Sequence, residues 1–347
     1  METKQRAVAY LGGLAAATLG GAFCAWIGTP LPWMIGSMLG MAVAQMSGAH
    51  FAALPGGREA GFLVVGITLG LYFTAPVVAE VARHWPWFVL LGLAANGFGT
   101  VSALALARLS GVSRATAYFG SMPGGASEMA QLGERFGAAP ERVALAHSLR
   151  MLLVVTVFPV GITLAGFAAT EEYRPVVVPF DSGGLVLLVA LGAIAGTVAR
   201  KLRAPTAFML GPLLLTIGLT VNGIALSSMP SALVNAAQVL LGCVLGSRFE
   251  RGFLQTAPRF VAALIVSVTL TLGLAALVGW LIAMGSGAYL GSALLAAAPG
   301  GIAEMSITAK VLKIGVAYVT AAHVVRYLIV VLLTVPVFRL IARLRPG

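Results

Sequence analysis

The sequence predicts an all-α polytopic membrane protein of two inverted repeats, each with about five transmembrane helices and one broken or re-entrant helix. Three observations predict this fold class: an apolar composition, an internal repeat of rare residues, and an exchange of basic loops between the halves. Of 347 residues, 59% are hydrophobic and 10% are charged, against roughly 25% charged residues in a soluble domain. Apolar runs of about 20 residues are long enough to cross a hydrocarbon core of ~30 Å. The lipid bilayer is therefore the first expected partner.

The formal net charge of +11 does not predict nucleic-acid binding. The basic residues lie in short loops between apolar runs, where the positive-inside rule places them. Cys24 and Cys243 lie in separate apolar segments without metal-ligand spacing, which indicates two buried thiols. The first apolar segment, residues 7–27, has no convincing small-residue cleavage site, so we expect a retained helix rather than a signal peptide.

Two strings show that the chain contains an internal duplication: residues 122–129 read MPGGASEM and residues 298–305 read APGGIAEM, 176 positions apart. The same spacing aligns other rare residues of the two halves, which are His147 with His323, Arg150 with Arg326, Gly66 with Gly242, Gly70 with Gly246 and Phe73 with Phe249. A single long period differs from the short periods of a solenoid. The sequence therefore predicts a first membrane repeat over residues 1–169, a polar linker over 170–184 and a second membrane repeat over 185–347.

Loop charges predict how the halves are oriented. Both chain termini are basic, so the positive-inside rule places both in the cytoplasm and the acidic linker outside. The basic loop 200–203 corresponds to the uncharged loop 29–32 of the first half. Each half then crosses an odd number of times, about ten crossings together, which is the inverted-repeat plan of many secondary transporters. A parallel twelve-helix arrangement is the alternative.

Pro123, Gly124 and Gly125 interrupt an apolar segment of the first half, and their counterparts in the second half are Pro299, Gly300 and Gly301. Proline removes a backbone donor, and each glycine costs about 1 kcal/mol of helix propensity. The freed backbone groups of a broken helix cannot be satisfied by lipid, so such a break is expected inside protein or beside a wet cavity. Matching breaks in two halves point to a transporter's binding site. Simple kinks are the other interpretation.

Glu128 and Glu304 follow the second glycine of each string by three residues. An ionisable group inside a membrane is costly and is therefore a functional candidate. Burial of a carboxylate favours its neutral form, which suits proton exchange. Capping of the following helix is the alternative, because a carboxylate is favoured at a helix amino terminus.

His147 and Arg150 are three residues apart and share a helical face, as do His323 and Arg326. The arginines could neutralise the glutamates, hold an anionic substrate by bidentate contacts, or reach towards the headgroups. The histidines could relay protons or hydrogen-bond their neighbours. The residues of the two PGG strings, the two glutamates and the two His–Arg pairs, twelve in all, are the candidate substrate- or ion-binding residues.

An enzyme is the less favoured class. The two histidines and two glutamates could bind a metal, but they are not at a recognised metal spacing. The chain also has no Walker motif, no GxGxxG in a strand–helix setting and no catalytic serine pattern. We therefore expect no cofactor, no metal site and no catalytic residue.

The duplicated PGG-x-x-E-M strings, the PxxxMIG and PxxFMLGP segments and the His-x-x-Arg pairs resemble the membrane AbrB duplication family of bacteria over roughly residues 8–345. Members carry inherited names such as ammonia monooxygenase and AbrB-type regulator of gene expression. The resemblance implies a multi-pass inner-membrane protein with an indirect link to gene regulation. The residues here do not match a copper monooxygenase.

The function expected from these features is secondary transport of a small organic anion or zwitterion, coupled to protons or sodium. The substrate is expected near the two PGG strings. The alternatives are a membrane-bound solute sensor that regulates gene expression and, less favoured, a membrane monooxygenase. The many glycine-rich helix faces permit a homodimer.

Overall fold

The computed structural model describes residues 2–167, 178–249 and 258–344, and the only regular structure in these ranges is α-helix. In the described part of the chain the helices of the first half are α1 (Glu2–Trp26), α2 (Pro32–Met46), α3 (Gly57–Gly70), α4 (Ala75–Arg83), α5 (Trp85–Ser110), α6 (Arg114–Ser121), α7 (Ala126–Glu134) and α8 (Pro140–Leu164). Those of the second half are α9 (Ser182–Lys201), α10 (Ala207–Val221), α11 (Ser231–Gly246), α12 (Pro258–Ser286), α13 (Leu290–Ala297), α14 (Ile302–Leu312) and α15 (Val316–Leu344).

Six helices of the described ranges are long and apolar enough to cross a membrane, and they support a multi-pass membrane protein. They are Gln5–Trp26, Trp85–Ser110, Pro140–Leu164, Ser182–Lys201, Pro258–Ser286 and Val316–Arg343. A seventh span results if α3 and α4, which meet at a 92° bend, are counted as one. The count is below the expected ten because α2, α3, α10 and α11 have only 14 to 16 residues. At 1.5 Å per residue such a helix is about 21–24 Å long, shorter than the ~30 Å hydrocarbon core.

The helix boundaries repeat along the chain as the sequence does. Helix α6 spans residues 114–121 and α13 spans 290–297, so both ends differ by the 176 positions that separate the PGG strings. Helices α8 and α15 begin at residues 140 and 316, with the same difference. Helices α2 and α10 match at both ends with a difference of 175. The duplicated sequence therefore builds duplicated helices.

The described helices form two compact units, and each unit combines parts of both halves of the chain. The first unit draws on residues 1–82, 169–253 and 306–317, and the second on residues 83–168, 254–305 and 318–347. A unit of this fold is thus not the same as a repeat of the sequence.

Glycine contacts join the two halves within the first unit. A β-carbon on Gly66 in α3 would lie 2.5 Å from the carbonyl oxygen of Met209 in α10. A β-carbon on Gly242 in α11 would lie 2.8 Å from the carbonyl oxygen of Met34 in α2. Gly66 and Gly242 correspond in the repeat, and so do Met34 and Met209. The third helix of each half therefore packs against the second helix of the other half, with a glycine at each closest approach.

The second unit is built around the contact between α5 and α12, which occupy matching positions in the two halves. The Ser102 and Thr271 hydroxyl groups are 2.6 Å apart, and the Ser267 hydroxyl donates to the Ser102 carbonyl at 2.9 Å. Polar side chains buried between apolar helices join the helices because each finds a partner. Short helices α6 and α13 pack against α5 and α12 respectively.

The predicted polar linker is only partly visible. Residues 170–177, with Glu171 and Glu172, lie outside the described residues, as does Arg345 at the carboxyl terminus. Helix α9 begins at Ser182, inside the range predicted for the linker, and the Asp181 side chain caps it by accepting from the Gly184 amide.

We predict that Gly66→Ala and Gly242→Ala each lower the thermal unfolding midpoint of the purified protein. The added methyl group would force apart two backbones, and overpacking of this kind costs about 1–3 kcal/mol. Gly218→Ala is the matched control, because Gly218 lies inside α10 and a β-carbon there meets nothing within 4 Å. Equal midpoints for Gly66→Ala, Gly242→Ala and Gly218→Ala would show that these contacts do not hold the unit together.

Candidate functional site

Both PGG strings lie between two short helices. Helix α6 ends at Ser121 and α7 begins at Ala126, while α13 ends at Ala297 and α14 begins at Ile302. The residues after α6 and α13, Met122 and Ala298, are both extended, with a ψ of 134°. All residues from 122 to 125 and from 298 to 301 belong to the second unit. The carbonyl groups at these helix ends need partners other than the next helical turn.

The two arginines supply those partners. The Arg150 guanidinium donates to the carbonyl of Met122 at 2.7 Å and to that of Gly124 at 3.3 Å. The Arg326 guanidinium donates to the carbonyl of Ala298 at 2.6 Å and to that of Gly300 at 2.5 Å. Both side chains are almost fully buried, with 4% and 1% of their surface exposed. A cation at the carboxyl end of a helix is also favoured by the helix dipole.

The two histidines bind the same helix ends one turn earlier. His147 Nε2 lies 2.9 Å from the Phe119 carbonyl, and His323 Nε2 lies 3.0 Å from the Leu295 carbonyl. A carbonyl only accepts, so each Nε2 carries the hydrogen. Arg150 donates to Nδ1 of His147 at 3.0 Å, which engages both ring nitrogens of this histidine. The histidines thus hydrogen-bond their neighbours, and their role as a proton relay stays a prediction.

The two glutamates lie at the amino ends of the next helices. Glu128 and Glu304 are the third residues of α7 and α14, and their carboxylates fold back over the preceding glycine. A β-carbon on Gly125 would lie 2.8 Å from Glu128 Oε2, and one on Gly301 would collide with Glu304 Oε2. The second glycine of each string therefore leaves room for the carboxylate. This position also matches the capping role, because the helix dipole favours negative charge there.

The first glycine of each string leaves room for the methionine that ends it. A β-carbon on Gly124 would lie 2.7 Å from Cε of Met129, and one on Gly300 would lie 2.7 Å from Cγ of Met305. Pro123 and Pro299 are buried at the start of each string. The identical spacing within the two strings thus has a packing reason at both glycines, at the glutamate and at the methionine.

The second unit brings the two copies of the motif together. The Tyr327 hydroxyl, from the second half, donates to Oε2 of Glu128 in the first half. The Tyr118 hydroxyl, from the first half, donates to the Thr334 carbonyl at 2.9 Å. Arg150 and Arg326 are close enough for their positive charges to repel each other. All of the sequence-predicted site residues therefore belong to one compact unit.

Sequence reasoning missed Tyr327. It directly follows Arg326, and its counterpart in the first half is Met151, so a search for repeated residues passes over it. A search for polar residues inside long apolar helices would have found it, because Tyr327 lies in α15 and is only 6% exposed.

Some buried polar atoms of the site could form a further hydrogen bond. The Nε atoms of Arg150 and Arg326 and the Nδ1 atom of His323 are buried and have no hydrogen-bond partner among the described residues. The hydrogen bonds recorded for the two arginines go to carbonyls and to His147 rather than to either glutamate. Within the described ranges no three His, Cys, Asp or Glu side chains are grouped so that they could hold a metal ion.

We predict that Arg150→Lys speeds amide hydrogen exchange in residues 122–126 by about tenfold or more. Lysine keeps the charge but cannot bridge two carbonyls as the guanidinium fork does, and a hydrogen bond to a charged group contributes about 1.5–3 kcal/mol. Arg142→Lys is the matched control, because Arg142 lies on the same helix and is exposed. Identical exchange in the two variants would show that Arg150 does not hold the helix end.

Comparisons with known proteins agree with the family resemblance noted in the sequence. A family model described as "Transition state regulatory protein AbrB" matches residues 9–342. The "Uncharacterized protein YhjN" of Bacillus subtilis (strain 168) is 27% identical over 300 residues, which is 82% of this chain and 78% of that protein. The "Putative regulator AbrB" of Escherichia coli (strain K12) is 27% identical over 275 residues, 79% of each chain. The chain belongs to the AbrB family of this model.

Proposed function

We propose that this protein is a secondary transporter, coupled to protons or sodium, for a small organic anion or zwitterion. One observation carries the proposal: two copies of a broken helix, each held by a buried arginine, belong to one compact unit. Breaks in matching positions of two halves are typical of transporter binding sites. A purely structural kink does not require two buried guanidinium groups, whose desolvation is costly.

The membrane arrangement is part of this proposal. The two halves have opposite topology, the breaks at Pro123–Gly125 and Pro299–Gly301 lie within the bilayer, and both termini lie in the cytoplasm of the inner membrane. The exchange of basic loops between the halves supports opposite topology.

The side chains at the breaks favour a substrate with an acidic group. The Nε atoms of both arginines are buried donors without a partner among the described residues, and guanidinium groups bind carboxylates well. Glu128 is partly exposed in the same unit and offers a negative charge to an ammonium group. A zwitterion would satisfy both kinds of group.

A membrane-bound regulator of gene expression is the second candidate. The family and the Escherichia coli relative are both described as regulators, which supports it. Such a protein could bind the same solute at the same breaks and act on expression without moving the solute. Transport of the solute separates the two candidates.

We expect purified protein in liposomes to give a saturable charge movement with one class of compound from a panel of small amino acids and short-chain carboxylates. The measurement is solid-supported membrane electrophysiology with an inward proton gradient or an inward sodium gradient. Glu128→Gln should reduce the signal at least tenfold, because it removes a charge at the break. Glu134→Gln is the matched control, since Glu134 is exposed on the same helix.

A folded protein that binds a panel compound in a thermal-shift assay but never moves charge would favour the regulator. A folded protein that neither binds nor moves any panel compound would count against both candidates.

We also propose that the protein is not a monooxygenase. Metal analysis of the protein purified from its membrane should find iron, copper and zinc below one per chain. Hydrogen bonds already engage both ring nitrogens of His147, which leaves that imidazole no free lone pair for a metal. Stoichiometric copper or iron that is lost in His147→Ala would contradict this.

A further inference from the structure

The two glutamates of the repeated motif have different surroundings. Glu128 in α7 is partly exposed, whereas Glu304 in α14 is 6% exposed. Glu128 accepts a hydrogen bond from the Tyr327 hydroxyl in α15. The repeat places Met151 of α8 at the position that corresponds to Tyr327, and methionine has no hydrogen to donate. The symmetry of the sequence is therefore broken at the side chain that contacts the carboxylate.

Most of the motif is symmetric, because the arginine, the histidine Nε2 atom and both glycines make equivalent contacts in the two halves. A second polar difference lies at the histidines: Arg150 donates to Nδ1 of His147, whereas Nδ1 of His323 has no partner among the described residues. The difference at Tyr327 is the one that reaches a carboxylate, so it bears on the chemistry of Glu128.

We propose that Glu128 is the carboxylate that binds and releases the coupling proton, that Tyr327 is its positioning residue, and that Glu304 is the permanent cap of α14. This inference rests on the proposed transport function and selects the proton over sodium. The proton comes from water, adds to a carboxylate oxygen of Glu128 and returns to water on the other side of the membrane. The charge of the site changes by one at each step.

A phenol suits this task because its hydroxyl group both donates and accepts. It donates to Glu128 when the carboxylate is charged, and it accepts from Glu128 when the carboxyl group is protonated. The pair therefore stays hydrogen-bonded in both states, and neither state leaves a buried polar group without its partner. Because Glu128 is partly exposed, it can exchange a proton with water more readily than the buried Glu304.

The buried charged and titratable side chains on the helices around α7 have hydrogen-bond partners. The others on these helices are exposed, and they are Arg114, Glu141, Arg142, Arg339 and Arg343. Helix α7 packs against α6 and α8, and the Tyr327 contact adds α15. Tyr118 on α6 donates to Thr334, and Arg150 on α8 donates to His147 and to two carbonyls. On α15, His323 and Arg326 contact carbonyls of the other break. Glu134 on α7 itself is exposed at its last turn.

Labelling with the hydrophobic carbodiimide DCCD tests the proposal without a substrate. The reagent adds to protonated carboxyl groups: the acid proton moves to a carbodiimide nitrogen, and the carboxylate oxygen bonds to the central carbon. Protein in liposomes is labelled over a range of pH, and mass spectrometry of peptides measures the modified fraction at Glu128 and at Glu304 separately. Met151→Leu is the matched control for Tyr327→Phe.

We expect labelling at Glu128 at least tenfold faster than at Glu304. In Tyr327→Phe the pH of half-maximal labelling at Glu128 should rise by about one unit, because a hydrogen bond to a charged group favours that charged form. Met151→Leu should leave this pH unchanged. A lost packing contact alone would not move it.

Three outcomes would overturn the proposal: equal labelling of the two glutamates, an unchanged midpoint in Tyr327→Phe, or protection of Glu128 by sodium at constant pH. If Tyr327→Phe does not fold, the ratio of labelling at the two glutamates in the unmodified chain still decides. If labelling is asymmetric but no transport is found, only the proposed transport function is wrong. If transport is found but the two glutamates are labelled equally, only the separate roles of Glu128 and Glu304 are wrong.

Discussion

A helix that stops inside an apolar protein leaves its last carbonyl groups without the partners of a further turn. Here the guanidinium groups of Arg150 in α8 and Arg326 in α15 donate to the carbonyls of Met122 and Ala298, which directly follow α6 and α13. The other features of the motif depend on this interaction. The histidines hold the same helix ends, and the glycines admit the glutamate and the methionine.

The arrangement also explains why buried charge is tolerated. Each arginine lies at the carboxyl end of one short helix and each glutamate at the amino end of the next, so the two helix dipoles stabilise both signs of charge. Burial of the two guanidinium groups near each other is still unfavourable. A bound negative group would offset this repulsion, and the substrate class proposed above rests on that argument.

Much of this fold could be predicted from the sequence. The repeated strings gave the correspondence between helices, and the matching ends of α6 and α13 follow it to the residue. The number of spans could not be predicted, because apolar composition does not distinguish a 15-residue helix such as α2 from a helix that crosses the bilayer. The partners of Arg150 were also out of reach, since the carbonyls of Met122 and Gly124 carry no signal in the sequence. Tyr327 could not be predicted from the repeat, because its counterpart in the first half is Met151.

The exchanged glycine contacts of the first unit make each half of the chain depend on the other. Gly66 fits against a helix of the second half, and Gly242 fits against a helix of the first. A chain cut between its halves would leave each of these glycines without the helix that it contacts here. The packing of the first unit therefore needs both halves at once.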